Sequence, residues 1–180
     1  MRMKMRILAA VFAAMTAVGA FLRLPIGASS ITLQFFFTLL SGLLLGKTYG
    51  ALSQGVYVLL GLLGLPIFSL GGGLGYVLQP TFGFLLALPL CAWTAGRICE
   101  KNSGVKRLIF AALAAWGVLY AVGVPYMVWI LHGFLRQDVP FFTILKTGVL
   151  ACLPADALKM AAAVVLAKRL LPTLERQLKK

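Results

Sequence analysis

Acidic side chains are scarce in this 180-residue chain: Glu100, Asp138, Asp156 and Glu175 are the only four. There is one histidine, His132, and there are three cysteines, Cys91, Cys99 and Cys152. So small a stock of titratable groups excludes most catalytic designs. An intramembrane enzyme needs a second acid, a Ser/His pair or a metal-binding cluster near the first reactive group. Asp156 has no second carboxylate in reach by sequence, and His132 lies beside a loop, where it is solvated. The cysteines are odd in number, show no metal-ligand spacing and sit in or beside apolar runs. They read as small apolar packers and not as a disulfide framework. No GxxxxGK[ST] phosphate loop occurs, so the chain cannot itself hydrolyse ATP, and no cofactor is expected.

Charge of any kind is sparse. Only 12% of the residues are charged, against 61% hydrophobic, whereas a soluble domain carries about 25% charged residues. Water could not accommodate that much apolar surface on a chain of this size, and lipid can. The charge that is present is basic, with a formal net value of +13. It falls in short clusters between long apolar runs and forms no basic face or stripe. That pattern excludes a nucleic-acid-binding surface and matches the cytoplasmic loops of a membrane protein.

Six apolar segments follow one another, at about Arg6–Leu22, Ile31–Gly46, Tyr49–Leu65, Thr81–Ile98, Leu108–Leu131 and Pro154–Leu171. Most approach the ~20 residues that span hydrocarbon, the first two being short. The expected architecture is a single domain over residues 1–180, an all-α bundle of six transmembrane helices. The first 22 residues have the layout of a secretory signal, with Arg2, Lys4 and Arg6 before an apolar stretch and Val18-Gly19-Ala20 after it. More membrane segments follow instead of an exported domain, so the stretch reads as the first helix.

The basic residues choose the orientation. Of the 17 Lys and Arg, 13 fall on one side: before the first segment, between the second and third, between the fourth and fifth, and after the sixth. Arg23, Arg136, Lys146 and Lys159 fall on the other. By the positive-inside rule the crowded side is cytoplasmic and carries both termini, in the plasma membrane.

The outer connections differ in character. Arg23 to Ser30 reads as a short Pro/Gly/Ser loop, and Phe141 to Leu153 as a short interfacial helix. Pro66 to Pro80, between the third and fourth segments, is Gly-rich but too apolar for a solvated linker, with Phe68, Leu70, Leu74, Tyr76, Val77 and Leu78. It is expected to fold into the outer mouth, since irregular backbone survives at membrane depth only when protein buries it or a cavity adjoins it. Gly72, Gly73, Gly75, Tyr76 and Gln79 are its candidate ligand-binding residues. Tyr76 either stacks on a flat ligand or sits at the interface, where aromatics collect.

Asp156 falls at the edge of the last segment, in Pro154-Ala155-Asp156-Ala157-Leu158-Lys159. Proline suits the first helical turn, and Asp156 and Lys159, three apart, share a face. Two readings stand: an ion pair that caps the helix, or a polar subsite inside an apolar pocket. In the second, Lys159 at the positive end of a helix suits a ligand carboxylate, and Asp156 suits N–H donors such as those of a cyclic urea. Gln34, at the apolar start of the second segment, is either a core hydrogen-bonding residue or a ligand contact. Alanines at 9, 10, 13, 14 and 17 give the first helix a small-residue strip that another helix can approach closely, in the same chain or in a partner.

The chain resembles the BioY family, the biotin-binding S components of energy-coupling factor transporters. The likeness covers nearly its whole length. It rests on Arg6-Ile7-Leu8-Ala9-Ala10-Val11-Phe12-Ala13-Ala14, Ile31-Thr32-Leu33-Gln34, Leu43-Leu44-Leu45-Gly46 and Gly50-Ala51-Leu52-Ser53-Gln54. It continues through Gly61-Leu62-Leu63-Gly64-Leu65-Pro66, Gly72-Gly73-Leu74-Gly75, Pro80-Thr81 and Leu153-Pro154 with Asp156 and Lys159. No one of these is specific, but all of them in this order are. The resemblance implies a six-helix bundle that binds biotin from outside and associates with a membrane coupling subunit and two cytoplasmic ATPases. It implies ligand contacts at Asp156 and Lys159, and docking of the coupling subunit on Ala9, Ala10, Ala13 and Ala14. The chain departs from the family pattern around the outer pocket, with Pro154-Ala155-Asp156 for Pro-Gly-Asp, Gln79-Pro80-Thr81-Phe82-Gly83-Phe84 after the Gly-rich loop, and Ala28-Ser29-Ser30 where prolines are common. The competing expectations are an S component for another small carboxylated vitamin, or a membrane scaffold that binds no ligand.

Overall fold

The computed structural model of the chain describes residues 2–26, 29–100, 104–137 and 139–179. Ala28, Lys101, Asp138 and Lys180, which entered the loop and charge readings above, lie outside the described residues. The first helix is α1 (Arg2–Phe21). A two-stranded ribbon, β1 (Arg23–Ile26) and β2 (Ser29–Thr32), joins it to α2 (Gln34–Leu62). There follow α3 (Phe82–Cys99), α4 (Val105–Val128), the short α5 (Phe141–Leu145) and α6 (Leu153–Lys179). Among the described residues, five helical stretches are long and apolar enough to cross a membrane: Met3–Phe21, Gln34–Leu62, Phe82–Cys99, Val105–Phe134 and Phe141–Leu174.

Most of the second and third apolar segments of the sequence falls within α2, which is not straight. Gly46 has φ 76° and ψ 179°, a conformation that is essentially restricted to glycine. The chain reverses at that point. Gly50 returns against Gly42 so closely that a Cβ on Gly50 would lie 2.8 Å from the Gly42 Cα. In an uninterrupted helix those two residues stand about 12 Å apart. Thr38, sixteen residues before Gln54, donates its hydroxyl to the Gln54 Oε1 at 2.9 Å. The limbs 34–45 and 47–62 therefore lie antiparallel, and small residues let a third helix in beside them. A Cβ on Gly42 would sit 2.4 Å from the Ala92 carbonyl oxygen of α3, the close backbone approach that small residues permit in lipid.

From this centre the bundle grows outward. α1 packs on α2, α4 on α3, and α6 against both α2 and α4. Where α1 meets the two limbs of α2, an apolar core is interrupted by a knot of fully buried polar side chains. Gln54 accepts from Thr16 (3.2 Å) and Thr38, and its Nε2 donates to Ser41 (3.3 Å) and Ser53 (3.0 Å). A buried amide is tolerable because both ends are satisfied. At the end of the bundle that holds Gly46, Lys47 pairs with Glu100 at the end of α3. Lys47 and Arg97 together hold the Glu100 carboxyl below the usual carboxylate range.

One connection differs from its sequence reading. Within the stretch read as a loop, Arg23–Ile26 pairs antiparallel with Ser29–Thr32, Arg23 opposite Thr32. The β-branched Ile26, Ile31 and Thr32 favour extended backbone, and Pro25 is tolerated because a two-stranded ribbon leaves each strand an open edge. Ile31 and Thr32 thus belong to β2, and α2 starts at Gln34.

Candidate ligand-binding site

A cavity of about 240 Å³ opens at the end of the bundle where β2, the start of α2, the loop after α2, the start of α3 and the start of α6 converge. Its walls mix apolar side chains, among them Phe35, Leu70, Phe84, Leu85, Leu88 and Leu119, with a few polar groups. That composition is typical of small-molecule sites, in which a minority of polar groups fixes orientation.

Asp156 and Lys159 are at its polar end. They form an ion pair of 2.5 Å and are 3% and 8% exposed. Neither relies on the other alone. Asp156 Oδ2 accepts from the Tyr120 hydroxyl at 2.6 Å and from the Trp116 indole N–H at 3.3 Å, both on α4. Lys159 Nζ donates to the Thr32 carbonyl in β2 at 3.1 Å. An ammonium has three protons; among the described residues these two contacts engage two of them, which leaves one donor for a ligand. Arg23 also lines the cavity. Two cationic residues against one acidic residue make the site electropositive, suited to a ligand bearing a single carboxylate.

Gln34 lines the cavity and is buried. Its Oε1 accepts from the hydroxyls of Thr32 (2.9 Å) and Ser69 (3.4 Å), and its Nε2 donates to the Tyr57 hydroxyl (2.7 Å). Tyr76 and Gln79 of the Gly-rich loop also line the cavity. Tyr76 lies in a short 3₁₀ turn, Leu74–Leu78, with its ring 4.7 Å from that of Phe68 between centroids. Phe68 is completely buried against a face that exists only because residue 61 is glycine, where a Cβ would collide with the Phe68 ring at 2.1 Å. The structure thus brings together Asp156, Lys159, Gln34, Tyr76 and Gln79.

Gly72, Gly73 and Gly75 are not among the residues lining the cavity. Gly73 has φ +96° and donates its N–H to the Gly61 carbonyl at 2.7 Å, and a Cβ on Gly72 would meet the Leu65 carbonyl at 2.1 Å. These two glycines shape the loop that delivers Tyr76. Nothing lies within 4 Å of a Cβ built on Gly75.

Of the alanines of α1, the four expected to meet a coupling subunit divide between two faces. Ala9 and Ala13 are buried in the core, while Ala10 and Ala14 are exposed among the outward side chains Ile7, Val11 and Val18.

Sequence reasoning missed Trp116, Tyr120, Thr32, Ser69 and Tyr57. Trp116 and Tyr120, four apart and so on one face of α4, carry the one signal that was available: two aromatics with polar tips within an apolar span.

Known proteins resemble this chain in sequence and in fold. The sequence profile of the BioY family matches residues 1–176. The probable biotin transporter BioY of Lysinibacillus sphaericus is 39% identical over 166 residues, covering 91% of this chain and 85% of that protein. The biotin transporter BioY of Thermotoga maritima is 34% identical over 169 residues, covering 93% and 96%. A crystal structure at 2.1 Å of the S-component for biotin from an ECF-type ABC transporter aligns with a TM-score of 0.74 and 26% identity, covering 94% of this chain and 91% of that one. With a profile matched over nearly its full length and relatives this similar along most of theirs, the chain belongs to the BioY family.

Proposed function

We propose that this protein is the biotin-binding S component of an energy-coupling factor transporter, a carrier and not an enzyme, which takes up biotin across the cell membrane. The observation that carries the reading is the Asp156–Lys159 pair, buried in an otherwise largely apolar cavity and backed by Trp116, Tyr120 and the Thr32 carbonyl. Lys159 takes the ligand carboxylate with its remaining donor and Asp156 holds that ammonium in place, while Tyr76 and Gln79 close the cavity from the loop. An apolar wall of Phe35, Phe84, Leu85 and Leu88 suits the alkyl chain and ring that extend from that carboxylate.

On this reading each limb of α2 crosses the bilayer, giving six crossings. The Gly-rich loop then lies at the outer mouth, and both termini lie in the cytoplasm with 13 of the 17 Lys and Arg. Ala10 and Ala14, exposed and small, form the docking surface for a membrane coupling subunit, which works with two cytoplasmic ATPases because this chain has no phosphate loop of its own. Equilibrium dialysis of the detergent-purified protein with labelled biotin tests the reading. Saturable binding at one site per chain is the expected result, and an absence of saturable binding would overturn it.

A further inference from the structure

Gln34 and Tyr57 face each other across the two limbs of α2. The Gln34 amide N–H₂ donates to the Tyr57 hydroxyl oxygen at 2.7 Å. That hydroxyl has a single proton, and it goes to the backbone carbonyl of Ile67, 3.0 Å away. A tyrosine hydroxyl can ordinarily give or take a hydrogen bond, so by itself it would accept either end of an amide. The Ile67 carbonyl removes that freedom. With its proton committed, the Tyr57 oxygen can only accept, and only the nitrogen end of Gln34 can face it. Turning the amide over would put two carbonyl oxygens in competition for one proton, leaving one of them buried and unpaired. Tyr57 is itself fully buried and does not line the cavity, whereas Thr32, Gln34 and Ser69 do. The Gln34 oxygen is on the side of the Thr32 and Ser69 hydroxyls, at 2.9 and 3.4 Å.

We infer that Tyr57 is a positioning residue that sets the ligand chemistry of this end of the cavity. Through the Ile67 carbonyl it fixes the Gln34 amide with its oxygen on the side of the cavity-lining Thr32 and Ser69, where a ligand N–H can displace the long 3.4 Å bond from Ser69 and an acceptor meets no amide donor. The inference rests on the biotin reading of the cavity, and the donor it implies is a ureido N–H. It explains why a residue that does not line the cavity is held by two hydrogen bonds between a helix and a loop. It also gives the loop start at Ile67 a part in selectivity.

The experiment is a double-mutant cycle of Tyr57→Phe and Gln34→Leu, with titration calorimetry against biotin and a ureido N-methylated biotin, and thermal melting in detergent to check each fold. Tyr57→Phe is expected to reduce the preference for biotin over the N-methyl analogue by about 2- to 12-fold, the worth of one neutral hydrogen bond. Adding it to Gln34→Leu should change that preference no further, because its target is gone. A Tyr57→Phe effect of the same size in both backgrounds would mean that Tyr57 only props the loop, and the inference fails. Should Tyr57→Phe not fold, Gln34→Leu alone decides, since unchanged discrimination in that variant overturns the inference equally. Failure of the unmodified protein to bind biotin overturns the functional reading together with this one, whereas normal biotin binding with unaltered discrimination in the variants overturns this one alone.

Discussion

Lys159 of α6 and Thr32 of β2 stand 127 positions apart in the chain, yet the Lys159 ammonium donates to the Thr32 carbonyl across 3.1 Å. One side chain at the start of the last helix therefore holds the ribbon that follows the first, and the same side chain pairs with Asp156. Lys159 both shapes the cavity and supplies its cation, and its removal should reveal both roles.

Lys159→Met should weaken biotin binding by about 10- to 150-fold, the value of a charge-assisted hydrogen bond, and abolish the preference for biotin over its amide. Asp156→Asn should weaken binding by a similar factor yet keep the preference for the free acid. The double variant should fold, because replacing a buried ion pair is often neutral when both charges go together. Titration calorimetry of the three variants checks this, and a folded double variant that binds biotin like the unmodified protein would show that the pair serves only the helix.

Tyr120→Phe removes the 2.6 Å hydrogen bond to Asp156 while preserving the ring. We expect biotin affinity to fall by about tenfold or more, as for other bonds to a charged group, with the free-acid preference intact because Lys159 is untouched. A loss of that preference, measured by calorimetry with biotin amide, would assign the carboxylate to the Tyr120 side of the cavity.

The division of the α1 alanines separates docking from folding. Ala10→Trp and Ala14→Trp project into the membrane-facing surface and should abolish co-purification with a coupling subunit while leaving biotin binding unchanged. Ala9→Trp and Ala13→Trp enter a packed core and should lower the melting temperature or prevent folding, as overpacking does. Loss of biotin binding in Ala10→Trp would mean that this face also packs within the bundle.

Gly46→Ala places a Cβ at φ 76°, ψ 179°, at a cost of about 1–3 kcal/mol. The added methyl meets nothing within 4 Å, so the cost is backbone strain alone. The melting temperature in detergent should fall without loss of biotin affinity in the fraction that remains folded. An unchanged melting temperature would mean that the turn accommodates an L-residue.

A reporter fused to the C-terminus should be active only in its cytoplasmic form, from the distribution of Lys and Arg. Activity of an exported-type reporter there would invert or break the proposed topology.

The apolar runs and the basic clusters were legible because lipid imposes them on composition directly: a crossing helix must be apolar along its length, and charge must collect in the connections. Asp156 and Lys159 were legible for the same reason, as ionisable groups beside a membrane segment that need a compensating role. Tyr120 and Trp116 were not, because an aromatic with a polar tip is ordinary in such a helix until the acceptor it meets is known. Tyr57 was hidden more deeply, since its part depends on two partners, Gln34 and Ile67, which converge only after the chain reverses at Gly46.

By itself, then, the sequence determined where the apolar segments lie, which connections are basic, and which charged pair begins the last helix, since these follow from local composition and spacing. Tertiary structure alone decided that Arg23–Ile26 pairs with Ser29–Thr32 and that Ala9 and Ala13 face inward while Ala10 and Ala14 face outward. It also decided that Asp156 is held from α4 and Lys159 from β2. Hydrogen bonds and small-residue contacts between distant segments have no periodicity to read, because their partners are chosen by how the helices pack and not by their neighbours in the chain.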